Sequence, residues 1–335
     1  MNADRLRRAA RAAGAVERFV ATSIRPARVL GFPYRAPSVP RGVALPVEES
    51  TLGADYDTSW ARSPVARAAR ELVMAGPVRA LVRGLAEPEI RGHDRLADLL
   101  PRDGDDDPDP VIFAPNHHSH LDIMLMVHTV PVPFRRRLFT AAAADYFFDK
   151  RWKAHLSALA LNAVPVDRET TSRRSADLMA ELIAEGWSLV IYPEGGRSPD
   201  GWGQRFKGGA AYLAGRTRVP VVPVHIDGTD SVLPKGTSRP KPGRTRVTFG
   251  RPLHAGEGES TRRFNGRIER AVAELADEAA TDYWSARRRA AAGATPQLTG
   301  PRATGWRRKW QLTEHRRRGI AAWRQPPQRR WPDLG

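Results

Sequence analysis

His117 and Asp122 are the residues best placed to do chemistry. They lie in Asn116-His117-His118-Ser119-His120-Leu121-Asp122, directly behind the apolar run Val111-Ile112-Phe113-Ala114. A hydroxyl is a poor nucleophile at neutral pH. A histidine that takes its proton, with a carboxylate fixing the imidazole tautomer, is the usual remedy. Residues five apart point about 140° away from each other on an ideal helix. The pair can therefore meet only if His117 sits in a turn and Asp122 in the first helical turn. Ser119-x-x-Asp122 also matches a helix capping box, in which the carboxylate satisfies the Ser119 backbone instead. The pattern leaves both roles open. Histidines at 117, 118 and 120 invite a metal reading, but no glutamate follows at a zinc-protease spacing and the chain has no cysteine; no metal is expected.

A second polar group follows another apolar run, Leu189-Val190-Ile191. It reads Tyr192-Pro193-Glu194-Gly195-Gly196-Arg197-Ser198, with Phe206-Lys207-Gly208-Gly209 behind it. Tandem glycines, Gly195 and Gly196, let a backbone approach a ligand closely. Arg197 and Lys207 suit a phosphate, the arginine bidentately. A helix opening at Lys207 or Gly208 would add free N–H groups to such an anion site. An ordinary turn with solvated charges fits the same residues. Arg168 ends the apolar stretch Val164-Pro165-Val166-Asp167-Arg168. It can reach the same cleft, or pair with Asp167 or Glu169.

These groups need elements to hold them. Apolar runs mark strands at 111–114, 138–142, 163–166, 188–192, 220–226 and 244–249. Periodicity marks helices at 63–84, 120–130, 172–186, 207–216 and 260–284, and a weaker one at 3–20. Pro64 suits a first helical turn. Alternation of strand and helix predicts an α/β fold with a central, mostly parallel sheet flanked by helices. Polar motifs at the carboxyl ends of buried strands are where such sheets place active sites.

The chain has 335 residues and a net charge of +17. Residues 1–42 carry +7, residues 286–335 carry +11, and the middle nets −1. The basicity therefore belongs to the ends, which argues against a nucleic-acid-binding protein as the main function. The expected organisation is a basic extension at 1–62, a catalytic domain at 63–285, and a basic, irregular or helical tail at 286–335. That tail sets Trp306, Trp310, Trp323 and Trp331 among Arg307, Arg308, Lys309, Arg316, Arg317, Arg318, Arg329 and Arg330. Tryptophan suits the headgroup boundary and arginine suits anionic lipid, so peripheral attachment is expected; a solvated tail fits the composition equally. No apolar run reaches the roughly 18–20 residues of a membrane span.

Taken together, the motifs resemble the glycerophospholipid acyltransferase family, typified by the 1-acylglycerol-3-phosphate (lysophosphatidic acid) acyltransferases. Asn116 to Asp122 resembles the family's Asn-His-x-Ser-x-x-Asp. Val166-Asp167-Arg168 resembles its second-motif arginine. Tyr192 to Ser198 resembles Phe-Pro-Glu-Gly-Thr-Arg-Ser, with Gly196 in place of the threonine. Val219-Pro220-Val221-Val222-Pro223-Val224 resembles Val-Pro-Val-x-Pro-Val. Order and spacing agree across roughly residues 78–280. The resemblance implies a glycerol-3-phosphate acyltransferase-like fold and direct transfer of an acyl group to a lysophosphatidic acid-like acceptor in phospholipid biosynthesis. It implies acyl-CoA or acyl carrier protein as co-substrate and no cofactor. His117 would be the base and Asp122 its orienter. Arg168, Arg197 and Lys207 would hold the acceptor's phosphate beside Gly195, and Glu194 would position the third motif. The implied location is cytoplasmic, peripheral on the inner face of the cell membrane. Another glycerolipid or glycolipid acceptor, a lipid hydrolase, and a basic membrane-binding protein are the alternatives. The hydrolase lacks a Gly-x-Ser-x-Gly nucleophile elbow.

Overall fold

A computed structural model of the chain describes residues 53–101, 107–167, 173–237, 239–301 and 305–324. The expected helix at 3–20, Arg168, and the end of the tail with Trp331, Arg329 and Arg330 lie outside the described residues.

The apolar runs become strands because each can be covered on both sides. Strand β2 is Ile112–Pro115, and all four of its residues are buried. Phe113 faces one core, with Leu125, Phe134 and Phe249. Ile112 and Ala114 face the other, with Ile183, Leu213 and Phe264. This is the period-two alternation of a strand between two apolar layers. The remaining strands are β1 (Pro88–Arg91), β3 (Leu138–Ala143), β4 (Ala163–Val166), β5 (Ser188–Val190), β6 (Val221–Asp227) and β7 (Thr245–Phe249). They form one sheet in the order β1-β7-β6-β2-β5-β3-β4. Every pairing is parallel except β6 with β7, so the sheet is mixed but mostly parallel. β2 is central, between β5 and β6, and its carboxyl end carries the His117 turn.

Strand β1 was not expected from the sequence. Its Pro88-Glu89-Ile90-Arg91 holds a single large apolar residue, and it forms a largely exposed edge. Charge anchors it: the buried Arg246 of β7 donates to Glu89 (2.9 Å).

The helix expected at 63–84 is split. Helix α1 (Pro64–Val73) is capped by Ser63, whose hydroxyl accepts from the Ala66 amide. A π turn at Met74–Val78 precedes α2 (Arg79–Ala86). Pro77 explains the break: it has no amide, and its ring crowds the carbonyl four residues back. Helix α3 (Leu121–Thr129) is buried on most sides behind the His117 turn. Helix α4 (Arg151–Leu161) was missed, because short polar interruptions blur its period. The buried Arg70 of α1 donates to the Ala158 and Leu159 carbonyls at its end and to Ala61. Burial pushes that guanidinium down to about 10.

On the opposite face lie α5 (Arg173–Ala184), α6 (Gly209–Thr217) and α7 (Thr261–Ala280). The helix expected at 260–284 ends at Ala280. Asp282 then caps α8 (Tyr283–Ala291), accepting from the Ser285 amide (2.9 Å). Part of the tail is helical too, as α9 (Gly305–Arg324).

Candidate active site

The site begins where β2 runs out. Pro115 pairs with Val224 of β6, and one residue later a side chain takes over the pairing. The Asn116 amide donates to the Ile226 carbonyl (2.9 Å), and its oxygen accepts from the Ile226 amide (2.7 Å). Asn116 thus imitates a strand partner while its own backbone turns away. The chain is released into a turn at a fixed point.

The turn folds around one carboxylate oxygen. Asp122 Oδ2 accepts from His117 Nδ1 (2.9 Å), the His118 amide (2.7 Å) and the Ser119 amide (2.8 Å). The contact to the imidazole and the capping contact, both left open by the sequence, are therefore both made by one atom. Asp122 is fully buried. Burial pushes its carboxyl upward, but the His117 hydrogen bond and charge and the Ser119 amide outweigh it, leaving the pKa below the usual range. Thr229 lowers it further, although among the described residues neither its hydroxyl nor Asp122 Oδ1 closes a hydrogen bond. An ionised carboxylate only accepts, so His117 Nδ1 must carry the proton. In the neutral imidazole that leaves the lone pair on Nε2.

The Ser119 hydroxyl is engaged by backbone on both sides. It donates to the Leu233 carbonyl (2.7 Å) and accepts from the Leu121 amide (3.2 Å). His120 stacks on the exposed Tyr146 ring at 4.7 Å.

The third motif is joined to this turn through Glu194. Its Oε1 accepts from the His117 amide and its Oε2 from the Gln204 amide, both at 2.9 Å. The Ser198 amide returns a bond to the His117 carbonyl (2.9 Å). With both oxygens engaged and the residue buried, Glu194 couples two loops. Tyr192 lies against the imidazole with ring centroids 4.2 Å apart. Burial and then the Asp122 charge hold its phenol well above the usual value, so it stays neutral.

Gly195 sits at φ 70°, where a side chain would be strained, and an added Cβ would lie 2.8 Å from Lys207 Cε and Nζ. The glycine thus lets the Lys207 side chain cross the loop. The Lys207 amide also donates to the Pro193 carbonyl (2.6 Å), and α6 opens at Gly209, just beyond it. Among the described residues, no carboxylate forms a salt bridge with Arg197 or Lys207. The structure brings His117, Asp122, Glu194, Gly195 and Lys207 together, with Arg197 on the same loop. Arg168 follows β4 but lies outside the described residues. Sequence reasoning missed Asn116 as the release point, and also Tyr192, Gln204 and Thr229. Only Asn116 carried a signal, its place directly after the strand.

The family model described as Acyltransferase matches residues 89–227. These hold the whole His117 turn, Glu194, Gly195, Arg197 and Lys207. Residues 89–227 are an acyltransferase-family segment. It is similar to a 1-acyl-sn-glycerol-3-phosphate acyltransferase of Chlamydomonas reinhardtii, 31% identical over 147 residues, or 43% of this chain and 42% of that protein. It is likewise similar to the human beta form of that enzyme, 31% identical over 126 residues, or 34% of this chain and 40% of the relative. The chain thus spans about two fifths of the length of the curated relatives it matches. A crystal structure of the 1-acyl-sn-glycerophosphate acyltransferase PlsC from Thermotoga maritima aligns at 24% identity and a TM-score of 0.47, covering 66% of this chain and 83% of that one.

Within the acyltransferase segment, Glu194 is a carboxyl whose acidity burial displaces. Burial raises its carboxyl from 4.5 to about 7, against the two amides that lower it; Asp122 and Glu269 add to the rise. Folding therefore favours the protonated form. The stability this gives is complete below about 4.5 and lost as pH rises to about 7, at most about 3 kcal/mol in all. Glu194→Gln cannot titrate there. Melting of wild type and Glu194→Gln from pH 4 to 8 should show the wild type losing ground across that window. A pH-independent difference would show that the buried carboxyl does not titrate as its surroundings require.

Proposed function

We propose that this protein is an O-acyltransferase that moves a fatty acyl group from a thioester donor to the free hydroxyl of a lysophosphatidic acid-like acceptor. The observation that carries this reading is the His117–Asp122 pair, tied through Glu194 to a loop of glycines and of cations that form no salt bridge among the described residues. His117 Nε2 takes the proton from the acceptor hydroxyl as its oxygen attacks the thioester carbonyl carbon. The C–S bond breaks, and the departing thiolate recovers the proton from His117. No covalent acyl-enzyme is formed. Asp122 holds the imidazole in place and stabilises the positive charge it gains. Arg197 and Lys207, with Arg168, supply the charge that seats the acceptor's phosphate. The donor is acyl-CoA or acyl carrier protein, and the reaction needs no cofactor.

His117→Ala should lower kcat by about 10²–10⁴-fold with melting close to wild type. Asp122→Asn should also cost a large factor, since it frees the tautomer. A capping role alone would instead lower stability and leave the rate per folded molecule nearly normal. Labelled acyl-CoA with lysophosphatidic acid, glycerol 3-phosphate and other lysolipids as acceptors measures both. Normal turnover by folded His117→Ala would sink the proposal.

Arg197→Ala and Arg168→Ala should each raise the acceptor KM and leave the donor KM nearly unchanged, because the phosphate belongs to the acceptor. Lysine at either position should rescue only in part, lacking the planar bidentate fork. An effect confined to the donor would reassign both arginines.

The same reading sets the chain on a lipid surface. No helix among the described residues is long and apolar enough to cross a membrane. Trp306 and Trp310 are 72% and 59% exposed, one turn apart on α9, beside Arg307 and Lys309. We assign this face to anionic headgroups. Trp306→Ser with Trp310→Ser should reduce cosedimentation with anionic vesicles, most clearly at low salt. Unchanged binding would transfer the role to the exposed Val65, Leu72, Trp152 and Leu156 of α1 and α4.

A further inference from the structure

Beyond the matched segment, the chain returns to the active site. Residues Gln297 to Pro301 and the first turns of α9 lie against the loop between Glu194 and Lys207. The Gly203 amide donates to the Leu298 carbonyl (3.0 Å), and Leu298 packs on the core. Gly300, at φ 67°, lies so close to the Trp202 ring that an added Cβ would sit 2.3 Å from it. Leu312 is buried further along α9.

Arg308 is the bolt of this contact. Its Nε donates to Asp200 Oδ2. Its two terminal nitrogens donate to the Pro301 carbonyl (2.8 Å) and the Thr299 carbonyl (3.0 Å). Its guanidinium carbon stands 5.9 Å from the centre of the Trp202 ring, and its carbonyl accepts from the Trp202 indole (3.4 Å). Burial pushes the Asp200 carboxyl up, but the Arg308 bond, the Trp202 amide and the Arg308 charge bring it below the usual range. One side chain thus joins the tail to itself and to the loop.

What Arg308 holds leads directly to the site. The Trp202 carbonyl accepts from the Ser198 hydroxyl (2.6 Å), and the Ser198 amide bonds the His117 carbonyl. Gln204, next after the clamped Gly203, gives its amide to Glu194 and its side chain to the Gly196 carbonyl (2.9 Å). Arg197 lies between these fixed points.

We propose that Arg308 is a positioning residue: through Asp200 and Trp202 the tail straps the loop that carries Arg197, and so sets the acceptor site's geometry. The kinetic half of this proposal rests on the acyl-transfer reading above; the strap itself does not.

The test uses full-length protein with Arg308→Ala and Arg308→Lys. Hydrogen exchange of the amides from Ser198 to Gln204 reads the strap without reference to activity. Steady-state kinetics with lysophosphatidic acid and acyl-CoA read its consequence. Arg308→Ala should speed exchange in that stretch and raise the acceptor KM about tenfold, with the donor KM within about twofold. Arg308→Lys should fall between, since it keeps the charge but not the fork to the two carbonyls. Unchanged exchange in folded Arg308→Ala overturns the strap. Faster exchange with an unchanged acceptor KM overturns the positioning role. A wild-type chain that acylates no acceptor defeats the functional reading and the kinetic half with it, and exchange still decides the strap.

Discussion

A single buried oxygen organises this site. Asp122 Oδ2 gathers the His117 imidazole and two backbone amides into one hydrogen-bonded centre with no solvent to compete. A buried carboxylate is costly unless it is hydrogen-bonded, and here one oxygen meets three donors from the turn just before α3. The turn therefore forms in one conformation and α3 starts at one residue. The imidazole is held in one tautomer. Local stability and chemical readiness share the same bonds, so no variant of Asp122 can separate them fully.

Everything else holds that centre against the rest of the fold. Asn116 fixes where β2 ends by pairing with Ile226. Glu194 fixes the second loop by accepting from His117 and Gln204. Two turns that are 77 residues apart in sequence are thus bonded to each other. Arg197 and Lys207, which form no salt bridge among the described residues, are carried by the loop that Glu194 holds.

The sequence revealed those parts of the molecule whose physics is local. Strands buried on both faces, such as β2 and β6, appear as apolar runs, and the motifs at their ends are short and ordered. The capping box foretold the Ser119 amide bond correctly. Local signals fail where an element is held from a distance. β1 is an exposed edge strand fixed by Arg246, and nothing in Pro88 to Arg91 announces it. Gln204 and Trp202 read as loop residues because their partners, Glu194 and Arg308, lie 10 and 106 residues away. The helix expected at 63–84 ran through Pro77, and neither the break there nor its outcome as a π turn was read from the sequence.

The central claim is that Asp122 fixes His117 with its proton on Nδ1 and its lone pair on Nε2. Nitrogen-15 correlation spectra of histidine-labelled protein, recorded where the imidazole is neutral, read this directly. The account predicts a pyrrole-type shift at Nδ1 and a pyridine-type shift at Nε2 of His117, with the preference lost in Asp122→Asn. A proton on Nε2 in the wild type, or averaging between the two nitrogens, would contradict it.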